Sequence, residues 1–265
     1  MLRSSHTLFF FLASTAVLAA EEIIVRDAQQ LRQALGRVRD GDVLRIAPGE
    51  YPGGNHVSGV RGLKVQALDP AQPPVFKGGQ NGWHFSRCPG LHLSHIRVTG
   101  QSTNGINLDD GGADQPLVEG IVVEHVVVTD IGPQGNHDAV KCSGLTGATI
   151  QDCRIEGWGG QGIDFVGCHQ SVIRRCQFIG KEGFSATAGI QLKGGTSKVI
   201  VEHCKFENAG QRPINAGGST GMPYFRPLGV KYEARDLTLR HNEITGSHCA
   251  IAFVGVDGAL FEDNT

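Results

Sequence analysis

The chain has 265 residues, of which 40% are hydrophobic, 19% charged and 6% aromatic, which suits one large globular domain or two small ones. Its net charge is −2 and it has no basic run, so nothing in the charge pattern indicates nucleic-acid binding. The 38 glycines follow no Gly-X-Y period, which excludes collagen, and their abundance in an aromatic-poor chain indicates many short strands joined by tight turns.

The first twenty residues have the pattern of a secretory signal peptide. Arg3 supplies a positive start, residues 8–18 are mostly apolar, and the small residues Ala19 and Ala20 follow. The apolar run is shorter than the roughly 18 residues that a membrane-spanning helix needs. We therefore predict a signal peptide over 1–20 and a mature chain, 21–265, that is secreted or periplasmic, free of the membrane after cleavage, and monomeric.

A short amphipathic helix is predicted next. Asp27 can cap its N-terminus, with Gln30 three residues later in a capping-box arrangement. Leu31, Leu35 and Val38 then form one apolar stripe. Such a helix can cover the open end of a stack of strands, and the chain is expected to turn through Gly41-Asp42 into the first strand.

A frame of 22 to 38 residues recurs through the second half of the chain. Its last position is held by Cys153, Cys176, Cys204, Asn242 and Asn264. A glycine stands nine residues before four of these, at Gly144, Gly167, Gly195 and Gly255. Before each glycine lies an apolar–polar–apolar strand, a second strand follows the glycine, and a third follows the Cys or Asn.

Three short strands per frame predict an all-β fold, a right-handed parallel β-helix solenoid with the helix as its N-terminal cap. Alternation turns one aliphatic residue of each frame inward; these residues are Val140, Ile163, Ile190, Ile214 and Ile251. A helical repeat would need apolar spacings of three and four, which are missing. Because the sequence stops at "FEDNT", within a coil, the solenoid over 21–265 is expected to be incomplete at its C-terminus.

The seven cysteines are read mainly as free, buried members of this stack. One bridge, Cys153–Cys176 or Cys176–Cys204, stays open as an alternative, since neighbouring coils could bring two sulfurs together. No Cys/His spacing resembles a zinc site. Asn242 and Asn264 are expected to form a side-chain ladder between coils.

Two outward rows of side chains follow from the same alternation. The first row is Asn107, Lys141, Asp164, Gln191, Asn215 and Ala252, and the second is Asp109, Ser143, Val166, Lys193, Gly217 and Val254. Polar residues also stand in the turn that enters this strand, among them His137 and Asp138. A flat face with cations, carboxylates and amides in register suits an extended polymer that carries hydroxyls and carboxylates. The alternative is an ordinary solvated outer face.

The longest insertion, residues 217–235, adjoins these rows. Long loops on a rigid scaffold often build binding sites. Within it, Tyr224 and Phe225 could stack on sugar rings and Arg226 could bind a carboxylate. The alternative is a loop that only covers the edge of the core.

The cap and the glycine-rich coils together resemble the pectin-lyase-like superfamily of right-handed β-helix proteins. The cap "LRQALGRVRDGDVLRIAPGEY" is similar to that of the alginate lyase and chondroitinase B group. Enzymes of that group use a Lys base and an Arg about twenty residues later on the next coil, a spacing that Lys193 and Arg212 fit loosely. Arg212 is expected in a turn before Pro213, and the group's acidic calcium ligands have no clear match.

The resemblance implies an exported protein that acts on an acidic polysaccharide, with β-elimination of a uronate polymer as the first hypothesis. Lys193 would be the base, His137 its substitute, and Arg212, Lys141 or Ca²⁺ would neutralise the sugar carboxylate. Calcium is the one cofactor left open, without a predicted ligand set. The expected substrate contacts are Asn107, Asp109, Asp138, Asp164, Gln191, Asn215, Tyr224 and Arg226.

Two other functions stay open at this point. The second hypothesis is a non-catalytic glycan-binding or structural β-helix. The third is a polygalacturonase-like hydrolase that uses a pair of carboxylates drawn from Asp109, Asp110, Asp138 and Asp164.

Overall fold

The protein is a parallel β-helix. The structure, a computed structural model, describes residues 19–112 and 114–265. Its strands form sheets of eleven, eight and eight members and one separate pair. Successive strands of the chain go to different sheets, except for the first two strands and for Thr196–Ser197 with Ile200–Glu202, and strands pair in parallel with those of the neighbouring coil. The predicted all-β solenoid with an N-terminal helix is confirmed.

The sheet that carries the candidate site is here called the cleft sheet. Its strands are, in ladder order, Asn55–Ser58, Trp83–Ser86, Ile106–Asp109, Val140–Ser143, Gln161–Val166, Ala188–Lys193, Arg212–Gly217 and Ile251–Val254. The second eight-stranded sheet contains Glu50–Pro52, Val75–Lys77, Arg97–Thr99, Val127–Ile131, Arg154–Trp158, Gln177–Ile179, Lys205–Glu207 and Glu243–Thr245. The eleven-stranded sheet contains Glu22–Val25, Val43–Ile46, Lys64–Ala67, His92–Ser94, Val122–Glu124, Thr149–Gln151, Val172–Arg174, Thr196–Ser197, Ile200–Glu202, Ala234–Arg240 and Val256–Glu262. The separate pair is Val118–Glu119 with Leu145–Thr146, and a 3₁₀-helix spans Met222–Tyr224.

Two sharp turns in each coil explain the recurring frame. The frame glycines Gly144 and Gly167 have φ of +66° and +61°, a region that side chains with a Cβ rarely adopt. A second left-handed residue stands immediately before each frame-ending Cys or Asn, and these residues are Asp152, Arg175, His203, His241 and Asp263. None of them is glycine, so the sequence pattern did not reveal this turn.

The interior contains the predicted aliphatic column and, in addition, stacked aromatic rings. Val140, Ile163, Ile190 and Ile214 are buried, and Ile251 is half-buried in the last coil. Phe178 and Phe206 stack from adjacent coils with ring centroids 4.8 Å apart. Because one coil cannot bury its own apolar face, this continuous column is what makes the stack stable.

The N-terminal helix spans Ala28–Leu35 and caps the stack. Asp27 accepts a hydrogen bond from the Gln30 backbone N–H at 2.8 Å, and Leu31 is buried in the core. The first strand, however, is Glu22–Val25, which precedes the helix and pairs with Val43–Ile46. The expectation that the first strand follows the Gly41-Asp42 turn was therefore wrong.

The cysteines and asparagines of the frame occupy the expected interior positions. All seven cysteines are free thiols, and six of them are buried, so the alternative of a bridge at Cys176 is not realised. Asn242 donates to Asn264 Oδ1 at 2.9 Å, which confirms the ladder.

The predicted signal peptide lies, except for its last two residues, outside the described residues. Within the part of the chain that the structure describes, no helix has the length and apolar character to cross a membrane.

Replacing Asn242 by Ala tests the ladder. The Asn242 side chain accepts from the Cys204 N–H at 3.0 Å and donates to the Val201 carbonyl at 3.1 Å, both in the adjoining coil. Asn242→Ala leaves these buried groups unpaired, so we expect the free energy of unfolding, measured in urea, to fall by about 2–3 kcal/mol. The control is Glu243→Ala, which removes an exposed ion pair to Lys205 and should cost under about 0.5 kcal/mol. Equal losses in the two variants would contradict the ladder's role.

Candidate functional site

The two predicted outward rows are real rows of the cleft sheet. Asn107, Lys141 and Asp164 pair in sequence across adjacent strands, and the row continues through Gln191 and Asn215. The second row runs through Asp109, Ser143, Val166 and Lys193. Side chains of one row therefore repeat at the ~4.8 Å spacing of neighbouring strands.

Both rows extend further towards the N-terminus than the sequence suggested. His56 and His84 continue the first row, and Ser58 and Ser86 continue the second. The repeating frame from which the rows were predicted begins only near Ile106. In the earlier coils, the alternation of apolar and polar residues was the sole indication of the rows.

A cleft of about 780 Å³ runs along the rows and across the strands. His84, Ser86 and Asp109 line one end, which we call the histidine end. Lys193 lines the other end, and Lys141, on the strand next to that of Asp109, lies between the two; we call the part of the cleft beside the two lysines the lysine end. The insertion 217–235 supplies one wall through Thr220, Tyr224 and Arg226, among others, and the Tyr224 side chain is 63% exposed there. The insertion thus adjoins the rows as expected.

At the lysine end, two cations cover a buried carboxylate. Asp164 is 0% exposed. Lys141 Nζ donates to Asp164 Oδ2 and, at 3.0 Å, to Asp138 Oδ2. Lys193 Nζ lies 3.2 Å from Asp164 Oδ1 as an ion pair whose angles are outside those of a hydrogen bond. The Asp138 carboxylate also accepts from the Gln161 N–H at 2.9 Å, which fixes it to the turn.

Four expected substrate contacts are consequently almost inaccessible. Asp138, Asp164, Gln191 and Asn215 point out of the helix yet are buried, with Gln191 and Asn215 only 7% and 5% exposed. The lysines and the insertion cover this part of the row. Asp138 and Asp164 bind the lysines, and Gln191 donates to the Gly217 carbonyl at 3.4 Å, contacts that a strand pattern alone could not indicate.

The electrostatics of this cluster fix one lysine in its charged form. Burial lowers the pKa of Lys141, but the carboxylates of Asp164 and Asp138 outweigh it, so the pKa of Lys141 lies above its usual range. Burial, followed by the charge of Asp164, raises the pKa of Asp138 in spite of its contact with Lys141. With both carboxylates ionised the two lysines are just balanced, and a proton on Asp138 leaves the cluster with one net positive charge.

At the histidine end, the Asp109 carboxylate accepts hydrogen bonds from three donors. His84 Nε2 lies 2.5 Å from Asp109 Oδ2, and the Ser86 hydroxyl and the Gly111 N–H donate to Oδ1 at 2.7 and 2.9 Å. Burial raises the pKa of Asp109, but these hydrogen bonds outweigh it and the pKa is lowered. Donation from Nε2 leaves Nδ1 of His84 as the nitrogen free to accept a proton or a hydrogen bond. The ring of His56 packs edge-on at 4.8 Å.

The Arg226 guanidinium is bound by the buried Asp110 carboxylate and is not available to a ligand. We call this ion pair the clasp. Arg226 Nε and Nη2 bind the two oxygens of buried Asp110 at 2.5 and 2.8 Å, and Arg226 Nη1 donates to the Tyr224 carbonyl at 2.9 Å. Because Asp110 lies 116 residues earlier in the chain, this pair ties the insertion to a distant coil. Glu233 anchors the same loop through the backbone N–H groups of Gly194 and Thr220, at 2.8 and 2.7 Å.

Three further predicted site residues lie away from the cleft ends. Arg212 is not in a turn but begins the strand Arg212–Gly217 and pairs with Ala188. It is therefore five residues along the sheet from the level of Lys193, about 16 Å at ~3.3 Å per residue. His137 lies in the preceding turn with Nδ1 buried and unpaired. Asn107 accepts a hydrogen bond from Asn104 at 3.0 Å.

Metal ligation was also left open by the sequence. Across residues 19–112 and 114–265, no three His, Cys, Asp or Glu side chains converge into a group that could hold an ion.

Residues 75–265 match the family described as "Right handed beta helix region". The chain belongs to this right-handed β-helix family. The match confirms the predicted handedness and, for the fold, the predicted pectin-lyase-like superfamily. Among curated protein sequences, none matches the chain.

Solved structures share this fold at low sequence identity. An alginate lyase from Paenibacillus sp. superposes with a TM-score of 0.61 and 19% identity, over 84% of this chain and 76% of the lyase. A mutant of the periplasmic alginate epimerase AlgG superposes with a TM-score of 0.67 and 11% identity, over 92% of this chain and 54% of the epimerase. The chain therefore spans only about half the length of the epimerase. At identities this low, the superpositions establish the shared fold alone.

Breaking the clasp should release the insertion. Arg226→Ala leaves the Asp110 charge buried without a partner, so we expect a loss of about 3–5 kcal/mol in the free energy of unfolding and faster limited proteolysis within 217–235. The double variant Asp110→Leu/Arg226→Met should recover most of the stability, because it removes both charges. Arg154→Ala, which removes an exposed ion-pair arginine outside the insertion, is the control. An Arg226→Ala protein as stable and protease-resistant as the control would contradict the clasp.

Proposed function

We propose that the protein binds an acidic, uronate-containing polysaccharide in the cleft and cleaves it by β-elimination. One observation carries the proposal: an open cleft runs across the coils, and two lysines from nearby coils line its floor. A polymer laid across the strands would meet both cations. Two solved structures with the same fold are an alginate lyase and an alginate epimerase, and alginate is a uronate polymer, which supports this substrate class.

The elimination needs a base and a fixed positive charge. A base removes the weakly acidic proton α to the sugar carboxylate, and the electron pair forms the ring double bond as the bond between the β carbon and the glycosidic oxygen breaks. The leaving oxygen takes up a proton from the protonated base or from water. A cation must offset the charge that builds on the carboxylate. Lys141 fits the second role, because two carboxylates hold it protonated.

Lys193 fits the role of base better than Lys141. It has one ion pair, at 3.2 Å, whereas Lys141 has two. The Lys193 side chain reaches the cleft surface, although it is less exposed than that of Lys141, 14% against 27%. Arg212 was the first choice for charge neutralisation, but its distance along the sheet leaves that role to Lys141.

Binding without catalysis is the second candidate, because both lysines are already paired with carboxylates. The hydrolase ranks third. A general acid must reach the glycosidic oxygen, and of the four candidate carboxylates Asp110, Asp138 and Asp164 are each 0% exposed and bound by cations.

The test is incubation with alginate, pectate, heparin and chondroitin. Elimination creates an unsaturated sugar that absorbs in the ultraviolet, whereas epimerisation exchanges the same proton for deuterium from D₂O without absorbance. We expect absorbance with at least one polymer and a loss of about 100-fold or more in kcat/KM for Lys193→Ala and for Lys141→Ala. Lys205→Ala, which removes an exposed lysine of another sheet, should leave the rate unchanged.

Three results would count against the proposal. If no uronate polymer gives absorbance or deuterium exchange, binding without catalysis is favoured. New reducing ends without absorbance favour the hydrolase. A rate that survives Lys193→Ala removes that lysine from the base role while keeping the class of reaction.

The affinity for an acidic oligosaccharide should rise as the pH falls. The pKa of Asp138 is raised, so lowering the pH through that value adds a proton to Asp138 in the folded protein and leaves the lysine end with a net positive charge. One unit charge a few ångströms from the ligand is worth about 1 kcal/mol, or roughly fivefold in Kd. Calorimetric titration from pH 4.5 to 8 measures the change.

Asp138→Asn is the matched variant for this prediction. Its amide is neutral at every pH, so the affinity should stay near the acid value throughout. His84→Gln is the control, because it replaces the imidazole at the histidine end and leaves Asp138 in place. Unchanged pH dependence in Asp138→Asn would show that another group governs binding.

A further inference from the structure

We infer that the protein carries a second catalytic site, in which Ser197 and His169 act as nucleophile and base in the hydrolysis of short-chain acyl esters. The pair lies in a hollow that borders the cleft at Arg226, and neither residue lines the cleft itself. The inference therefore goes beyond the proposed elimination and does not depend on it.

The hollow has a volume of about 590 Å³ and combines a polar floor with apolar walls. Its floor is a row of three residues that stand in register on successive coils, and these are Thr146, His169 and Ser197. Its walls are formed by Pro116, Leu117, Pro227, Leu228 and Tyr232. Apolar walls around a few convergent polar groups are the usual form of a small-molecule site, and here they suit the hydrocarbon part of an acyl group.

Ser197 and His169 are in hydrogen-bond contact within this hollow. Ser197 Oγ lies 2.8 Å from His169 Nδ1, and both side chains are half-buried. His169 Nε2 is buried and outside hydrogen-bond geometry with any described group, while the Arg226 backbone carbonyl lies beside the ring. A carbonyl there favours a proton on Nε2, so that Nδ1 accepts from the Ser197 hydroxyl. This is the arrangement of an activated nucleophile with an oriented base.

The imidazole of this pair is held in the form that can accept a proton. Burial lowers the pKa of His169, and the Arg226 carbonyl opposes that effect only in part. The ring is therefore neutral at pH 7, where a base for the Ser197 hydroxyl is needed.

Two cations stand next to the serine. Arg235 is the register partner of Ser197 in the next coil, and its guanidinium lies 5.7 Å from the centre of the Tyr232 ring in the wall of the hollow. Lys198 follows Ser197 directly, is exposed and lines the hollow. Negative charge that develops on a carbonyl oxygen at Ser197 is stabilised by cations at this range.

The carboxylates of this region lie further from the serine than the cations do. Asp257 is the register partner of Arg235, so it stands two strand spacings from Ser197, about 10 Å. Asp236 and Asp257 are both more than half exposed, at 3.6 and 3.4 Å from Arg235, and water and salt screen their charges at such a separation. Asp114 belongs to the loop on the Leu117 side of the hollow.

The reaction needs only an ester and water. Ser197 Oγ attacks the carbonyl carbon while His169 Nδ1 takes the hydroxyl proton. The bond from that carbon to the alcohol oxygen breaks, His169 returns the proton to the departing oxygen, and the acyl group remains on Ser197. A water then attacks the acyl carbon and gives a proton to Nδ1. The acid leaves, and Ser197 Oγ recovers its proton from His169.

The test treats the full chain with a fluorophosphonate probe, maps the labelled peptide by mass spectrometry, and measures release of p-nitrophenolate from p-nitrophenyl butyrate. We expect the label on Ser197 and a fall of at least about tenfold in the hydrolysis rate for Ser197→Ala and for His169→Gln. Ser102→Ala, which removes an exposed serine outside the hollow, is the control and should hydrolyse the ester at the wild-type rate.

The mapping on the wild-type protein decides the inference even if a variant fails to fold. A label absent from Ser197, or spread equally over exposed serines such as Ser102, would overturn the site. Ester hydrolysis that continues unchanged in folded Ser197→Ala would overturn it as well. Labelling of Ser197 at the wild-type rate in His169→Gln would overturn the role of His169 as the base.

Discussion

The parallel register between coils is the constraint on which the rest of the structure depends. From Asn55 to Ile251 the cleft sheet pairs strand to strand, so each outward residue of one coil stands beside its counterpart in the next. A shift of one residue would exchange the inward and outward sets along a strand and expose the aliphatic column. Burial of the core therefore also fixes the order of the polar groups on the outside.

The lysine end shows how such a row can bury charge. A lone carboxylate with the burial of Asp164 would be strongly destabilising, but Lys141 and Lys193 approach it from the strands on either side. In return, the carboxylate restricts two long side chains that would otherwise move freely at the surface. Lysine side chains that are already held in place lose less conformational entropy on binding a polymer than freely moving ones do. This favours the interpretation of the rows as a binding site over that of an ordinary solvated face.

Much of this arrangement could be predicted from the sequence, because it follows from local alternation. The strands of the cleft sheet from Ile106 onwards, the two rows and the wall formed by the insertion all rest on short-range pattern. The contribution of His84 was missed because the early coils lack the repeating frame. The Arg226–Asp110 clasp joins residues 116 apart, and no spacing rule links them. The burial of Asp164 likewise depends on what covers it, which the strand pattern does not contain.

The most direct test of the cleft is a crystal structure of the Lys193→Ala protein with a uronate-containing tetrasaccharide. We predict that the sugar chain lies across the strands of the cleft sheet, with one carboxylate within hydrogen-bonding distance of Lys141 Nζ and a sugar ring beside Tyr224. A ligand found instead in the neighbouring hollow lined by His169 and Tyr232, or bound with its carboxylates away from Lys141, would contradict it.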